Sequence, residues 1–179
     1  MYTKEAIESA VKAKGYKWFE DHKNLGFDVN IVGIRNSETS NEVTNKFDDK
    51  ITVSYKIDGE WQFHCYDCTT DPGKHWVENI MNKHGVAILK PGQYRSSHKI
   101  RLHGGRYEAL GQQKPVKVYR DKNLDGKYDL SEENVMEGLY GINIHRATKY
   151  AGRKSTQIDK WSAGCQVIAA NDDWTEFMD

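Results

Sequence analysis

The sequence predicts a β-dominated α+β domain, because short strand-like patterns recur along most of the chain while helical patterns are few. Residues 51–57 and 116–119 are rich in β-branched and aromatic side chains, and turns containing Gly, Pro or Asp separate such stretches. Helical spacing of apolar residues is confined to the N-terminus, the region around Trp76 and the residues after Asn171. At 179 residues the chain can bury a core of its own, and no Pro- or Ser-rich linker divides it.

The elements follow in order from local patterns. An amphipathic helix is predicted from Thr3 to about Phe19, with a break near Gly15, so that residues 1–26 form a helical segment packed on a main body of residues 27–179. A short helix is predicted to begin near Asp71-Pro72, to end at Gly85 and to turn Trp76, Val77, Ile80 and Met81 to one face. A last helix begins at Asn171, and we expect it to be cut short at Asp179. Strands are predicted at residues 27–34, 51–57, 61–66, 86–89, 93–102, 116–119, 141–145 and 165–169, with Asp58-Gly59 as a hairpin turn.

Composition excludes several classes of function. The 26 basic and 26 acidic residues cancel, so no overall field favours binding to nucleic acid or to an anionic membrane. Three cysteines, with Cys65 and Cys68 far from Cys165, do not form the disulfide framework of a secreted domain, and Cys165 is expected to be a free thiol. The charged N-terminus does not resemble a signal peptide, and no apolar run is long enough for a membrane span. We therefore expect a soluble chain that does not insert into membranes.

A cysteine and a histidine carry the strongest functional signal. His145 ends an apolar strand pattern, in which alternation places Asn143 and His145 on one face, and Cys165 follows the small residues Ser162, Ala163 and Gly164. An adjacent imidazole can accept a thiol proton, and small residues let a carbonyl group approach backbone N–H donors. The pattern predicts cysteine acyl transfer. The competing interpretation is an inert buried cysteine and a surface histidine.

The wider pattern resembles the catalytic domain of the L,D-transpeptidase family, whose signature is a His, a loop and then Ser/Thr-His-Gly-Cys. The run Lys90-Pro91-Gly92-Gln93-Tyr94 is similar to that family's Thr-Pro-x-Gly-x-Phe/Tyr motif, and residues 69–73 are similar to its Ser-Thr-Gly turn. The likeness covers about residues 68–170. The order of His before Cys also disfavours papain-like and NlpC/P60-like peptidases, in which Cys comes first.

This resemblance implies a β-sandwich-like fold and peptidoglycan stem peptides as substrate. Ala163 stands where the family has a second His, and Val167 stands where it has an Arg, so we hypothesise that Arg146 or His103 compensates. The implied catalytic residues are Cys165, His145 and Gly164, and the candidate substrate-binding residues are Arg146, Trp161, Ser162 and Tyr94.

The reaction implied is attack by Cys165 on the carbonyl at the L-centre of a diamino acid, which releases a D-amino acid and leaves a thioester. Water would make the chain an L,D-carboxypeptidase or endopeptidase, and an amine would make it a cross-linking transpeptidase. The resemblance places this activity at the cell wall or periplasm. The expected absence of a signal peptide and membrane anchor favours hydrolysis, as in a phage lysis or tail enzyme or in an effector delivered by another system. The alternative is a non-catalytic, calcium-stabilised cell-wall-binding module with a degenerate site.

An EF-hand-like loop spans residues 121–132, with Gly126 at the sixth position. The strand-like flank at residues 115–119 differs from the helix of a true EF-hand, and an acidic turn is an equal alternative. We predict a structural Ca²⁺ ion there. For Cys65 and Cys68, three residues apart on a strand, we predict divergent side chains rather than a zinc site. The predicted calcium ligands are Asp121, Asn123, Asp125, Lys127, Asp129 and Glu132.

Overall fold

The computed structural model describes residues 1–23, 25–26, 28–38 and 41–179. The β-dominated α+β class is confirmed. Phe27, where the sequence predicts the first strand to begin, lies outside the described residues. The helices are α1 (Lys4–Ala13), α2 (Lys74–Glu78) and α3 (Asn171–Met178), with a 3-10 turn at Glu132–Asn134. The strands are β1 (Asn30–Ile34), β2 (Asp49–Ile57), β3 (Glu60–Thr69), β4 (Ala87–Leu89), β5 (His98–His103), β6 (Tyr107–Gln112), β7 (Val116–Arg120), β8 (Val135–Gly138), β9 (Ile144–Arg146) and β10 (Gln166–Ile168).

Most strands join one mixed sheet. Over the described ranges this sheet has the order β1-β2-β3-β10-β9-β6-β5, and β4-β7-β8 form a smaller sheet. The β9–β10 pair is parallel, whereas β10 runs antiparallel to β3 and β9 runs antiparallel to β6. The predicted hairpin turn between β2 and β3 is confirmed, because Asp58 and Gly59 have φ values of 50° and 83°, which suit a two-residue turn.

Apolar side chains collect on both sheets. Ile51, Cys68, Ile144 and Ile168 pack under Trp174 of α3 and form the core of the larger sheet. On the smaller sheet, side chains of β4 and β7 pack against Ile142, which lies two residues before β9. The segment leading into β9 therefore contacts the smaller sheet, while β9 itself belongs to the larger one.

The N-terminal segment contacts the main body through aromatic residues. The α1 helix begins at a Thr3 cap whose side-chain oxygen accepts from the Ala6 N–H. It ends at Ala13, so the predicted break near Gly15 is confirmed, whereas the predicted continuation of the helix to about Phe19 is wrong. The Trp18 ring, which is 5 % exposed, lies 5.8 Å from the ring of Trp61 on β3. Within the described part of the chain, no helix is both long and apolar enough to cross a lipid bilayer.

Two predicted features of the central region are wrong. Helix α2 ends at Glu78, so Ile80 and Met81 lie beyond it and are 44 % and 67 % exposed rather than buried. The predicted strand at residues 93–102 begins only at His98. The predicted divergence of the thiols is confirmed, since Cys65 is exposed and Cys68 is fully buried.

Candidate active site

The register of two parallel strands brings Cys165 and His145 to the same face of the larger sheet. Val167 on β10 is the partner of His145 on β9, so their side chains point to the same side. Cys165, two residues before Val167, shares that side by alternation, and its neighbour Gln166 donates its N–H to the Asn143 carbonyl at 2.8 Å. Strand spacing and rise place the two α-carbons about 8 Å apart. Ile144 and Ile168 point to the opposite side, into the core.

A tight turn presents Cys165 immediately before β10. The Ser162 hydroxyl donates to the Cys165 carbonyl at 2.8 Å and accepts the Gly164 N–H at 3.1 Å. Gly164 has a φ of 136°, and a β-carbon there would lie 2.4 Å from the carbonyl oxygen of Ala87 on β4. The position thus requires glycine for both conformation and space. Ser162, predicted to bind substrate, instead holds this turn together and is 1 % exposed.

Backbone hydrogen bonding fixes the tautomer of His145. Its Nδ1 lies 2.8 Å from the Arg146 carbonyl, which can only accept, so Nδ1 carries the proton and Nε2 carries the lone pair. Nε2 makes no hydrogen bond to any described residue. Burial, with a smaller contribution from the neighbouring His103, lowers the pKa of His145 to about 4, although the hydrogen bond to the Arg146 carbonyl raises it in part. His145 is therefore a neutral imidazole with a free acceptor nitrogen at neutral pH.

A second imidazole stacks on His145. The ring of His103, at the end of β5, lies 4.3 Å from the His145 ring at an interplanar angle of 23°. The Gln112 N–H donates to Asn143 Oδ1 at 2.9 Å, which turns Asn143 Nδ2 toward His103 Nδ1 at 3.4 Å. Nδ1 of His103 is then the acceptor, and its Nε2 carries a proton. The stacked pair combines one acceptor nitrogen with one donor nitrogen.

The thiol is half-buried and rests away from the imidazole. Its sulfur donates to the Gly141 carbonyl at 3.3 Å. Burial raises the pKa of Cys165, although a hydrogen bond with the Asn143 backbone lowers it in part. Thiol and imidazole are both neutral in this state. Proton transfer would thus accompany attack on a substrate rather than precede it.

One backbone donor of the turn remains open. The Gly164 N–H is taken by Ser162, and the Gln166 N–H is taken by Asn143. Across the residues that the structure describes, the Cys165 N–H donates to no other group. It is the turn's candidate donor to an oxyanion formed at the thiol.

The side chains of the other predicted substrate-binding residues make no hydrogen bond to the side chain of Cys165 or His145 within the described residues. The Arg146 guanidinium stacks 4.3 Å above the Tyr107 ring and donates to Asn171 Oδ1 at 3.1 Å, on the face opposite His145. The Tyr94 hydroxyl donates to the Lys90 carbonyl at 2.7 Å and packs on the smaller sheet. Trp161 is 44 % exposed near the turn. Of the two residues suggested to compensate for the missing groups, His103 stacks directly on His145. Arg146 contacts the Tyr107 ring, which in turn lies 5.5 Å from the His103 ring, and its compensating role stays a prediction.

Sequence reasoning missed Asn143 and Gln112 as parts of the site. Gln112 is 5 % exposed, and its side-chain oxygen accepts from the N–H groups of Tyr140 and Ile142 at 3.1 and 2.9 Å. It thereby shapes the segment that leads to His145. A polar residue at the end of a strand pattern gives no signal of such a role, because its partners lie about thirty residues away.

The predicted calcium loop is bound to the rest of the protein by other contacts. Its last predicted ligand, Glu132, pairs with Lys90 at 2.5 Å and accepts from the Tyr119 hydroxyl at 3.2 Å. Asp121 is 2 % exposed and accepts from the Leu124 N–H at 3.2 Å. Outside residues 24, 27, 39 and 40, no group of three or more His, Cys, Asp or Glu side chains is placed to hold a metal ion. Glu132 would have to leave Lys90 to close a cage, and calcium binding stays a prediction.

The remaining ligands face the backbone of their own loop. Asn123 Oδ1 accepts from the Asp125 N–H at 3.2 Å, and Asp125 Oδ1 accepts from the Lys127 N–H at 3.0 Å. Asp129 accepts from the Ser131 N–H at 3.0 Å. These contacts form the acidic turn that is the alternative to a metal site.

Neither the surface depressions nor known proteins point to a ligand for this site. Two open depressions, one beside α3 and one along residues 44–48 and 154–157, do not include Cys165 or His145. The chain matches no protein-family model, no curated protein and no solved structure. The resemblance to L,D-transpeptidases therefore stays a prediction that rests on the motif and on the arrangement of Cys165 and His145.

Proposed function

We propose that the chain is a cysteine acyl-transfer enzyme that acts on peptidoglycan stem peptides. The observation that carries this proposal is the β9–β10 register, because it sets thiol and imidazole on one face of adjacent strands. The free Nε2 of His145 and the open N–H of Cys165 add the base and the oxyanion donor that acyl transfer needs. The substrate class comes from the motif resemblance alone.

The proposed reaction proceeds in two steps. Cys165 turns from Gly141 toward the carbonyl at the L-centre of a diamino acid, and His145 Nε2 accepts the thiol proton as the C–S bond forms. The Cys165 N–H stabilises the oxyanion, the C–N bond breaks, and the proton passes to the amine of the departing D-amino acid. Water or a second amine then attacks the thioester carbonyl and gives up a proton to His145 Nε2. The C–S bond breaks, and this proton passes to the sulfur and restores the thiol.

Digestion of purified muropeptides followed by mass spectrometry tests the proposal. We expect cleaved or cross-linked products with the wild type and none with Cys165→Ala. Cys65→Ala is the matched control, because that thiol is exposed on β3 and should leave the products unchanged. Identical products from wild type and Cys165→Ala, or no products from either, would show that the chain lacks this activity.

The alternative is a non-catalytic cell-wall-binding module, and one contact favours it. The Cys165 thiol donates a hydrogen bond to the Gly141 carbonyl rather than to His145. Burial raises the pKa of the Cys165 thiol, as in an inert cysteine. Labelling with iodoacetamide at neutral pH separates the two. A catalytic Cys165 should react faster than Cys65 even though Cys65 is the more exposed, and His145→Gln should slow only Cys165.

The proposed function also implies a β-sandwich-like fold and a location at the cell wall. Over the described ranges, a large and a small sheet joined through Ile142 are compatible with the β-sandwich-like domain of L,D-transpeptidases. The activity would be exercised at the cell wall, by hydrolysis in a phage-delivered enzyme. Product masses distinguish hydrolysis from cross-linking, since a cross-link adds the mass of the acceptor peptide.

A further inference from the structure

Arg120 is a buried cation with no acidic partner among the described residues. The residue ends β7 and is 6 % exposed. Its Nη1 donates to the Gly85 carbonyl at 3.1 Å, and its guanidinium carbon lies 4.7 Å from the centre of the Tyr140 ring. Its Nε is buried without any partner, and within the described residues no carboxylate lies within ion-pairing distance. A buried charge of this kind is costly unless a counter-ion completes it.

Two chains of contact connect Arg120 to the proposed nucleophile. Ala87 is the direct cross-strand partner of Arg120, and the Ala87 carbonyl is the group against which Gly164 packs. On the other side, Tyr140, which covers the guanidinium, precedes Gly141, whose carbonyl accepts from the Cys165 thiol. Arg120 is therefore separated from the turn that carries the thiol by Ala87 on one side and by Tyr140 and Gly141 on the other.

Strand alternation sets the direction of the side chain. Val116 and Val118 of β7 pack toward Ile142, whereas Tyr119 packs into a different core cluster on the other face of the small sheet. Arg120 shares the side of Val118 by alternation. Its Nη2 makes no hydrogen bond to the described residues and, unlike Nε, is not fully buried, so this nitrogen is accessible to solvent.

We propose that Arg120 binds a carboxylate of the peptide substrate. A guanidinium offers a planar fork that matches a carboxylate, and stem peptides present free carboxylates on the diamino acid and on the terminal D-amino acid. This assignment rests on the proposed function.

Binding measured without turnover tests this site separately from catalysis. Calorimetry with Cys165→Ala protein would use a synthetic peptide that ends in a diamino acid and a D-amino acid. Two further peptides would each have one of those carboxylates converted to an amide. We expect one amide to bind about ten- to hundredfold more weakly than the acid, the effect of losing a charged hydrogen-bonded pair. In Cys165→Ala/Arg120→Gln, acid and amide should bind equally.

The affinities of the acid and amide peptides are compared for the same protein variant. A general loss of stability would weaken both affinities alike, so their ratio would not change. Arg120→Lys, which keeps the charge and loses the fork, should give an intermediate ratio if Arg120→Gln does not fold. Arg153→Gln, at an exposed arginine, is the matched control and should keep the full ratio. Equal affinities for acid and both amides, an unchanged ratio in Arg120→Gln, or no binding of any peptide would each overturn the carboxylate site. Loss of the proposed function would appear instead as identical muropeptide products from wild type and Cys165→Ala.

Discussion

Substituting Gly164 by alanine should destabilise the turn that carries Cys165. The added β-carbon would lie 2.4 Å from the Ala87 carbonyl oxygen and 3.2 Å from its carbon, and a backbone carbonyl in a strand cannot rotate away as a side chain can. The φ of 136° is also strained for any residue other than glycine. Overpacking costs about 1–3 kcal/mol, and backbone strain adds about 1–3 kcal/mol. The free energy of unfolding should fall by roughly 2–6 kcal/mol, which lowers the melting temperature by roughly 5–20 °C in a chain of this size.

Gly152→Ala is the matched control for this prediction. Gly152 has a φ of 68° and nothing within 4 Å of the position of an added β-carbon. An alanine at this position therefore has the backbone strain of a positive φ but no steric clash. Thermal melting followed by circular dichroism, supported by urea unfolding, would compare both variants with the wild type. We expect Gly152→Ala to lose about 1 kcal/mol. Equal melting temperatures for the two variants would refute the close approach of Gly164 to Ala87.

Three further predictions concern the site, the buried charges and the acidic loop. His103→Ala should lower the rate of muropeptide cleavage about tenfold or more, because it removes the ring that orients His145, and an unchanged rate would remove His103 from the site. Burial raises the pKa of Asp71 to about 6 despite its pairing with Arg35, so the folded state binds this proton more tightly. The stability that Asp71 contributes is full below about pH 4 and lost as pH rises through 6, so the unfolding free energy of wild type relative to Asp71→Asn should fall by about 2 kcal/mol between pH 4 and pH 7. A difference that stays flat across urea titrations at these pH values would contradict the burial of Asp71. Calcium at about a hundred times its Kd should raise the melting temperature by roughly 5–10 °C relative to chelator and should have no effect on Asp125→Asn, whereas equal wild-type values would leave the loop as a plain turn.

Local patterns predicted the parts of the fold that depend on neighbouring residues. The Asp58-Gly59 turn and the alternation that separates Cys65 from Cys68 both follow from a few adjacent side chains. Strands β6 and β8 were missed. The β6 sequence contains Ala109 and Gly111, which carry little strand signal, and its place between β5 and β9 comes from pairing across the sheet.

The candidate site was predictable only in part for the same reason. The sequence singled out Cys165 and His145, and alternation indicated the face that His145 uses. The stacking of His103 depends on residues about forty positions away in the chain. The isolation of Arg120 depends on which side chains the small sheet leaves without a partner. Neither arrangement leaves a trace in local spacing, because both arise from the packing of distant segments.

The parallel pairing of β9 with β10 has a consequence for how the chain tolerates variation. Thiol and imidazole are aligned by the ladder between their strands and not by the length of chain that joins them. Gly152 and its exposed neighbours in that connection could therefore accept inserted residues at a small entropic cost, while the two groups kept their offset. The number of residues between His and Cys is thus a poor criterion for finding further chains built on this plan, and the two short strands that flank the pair are a better one.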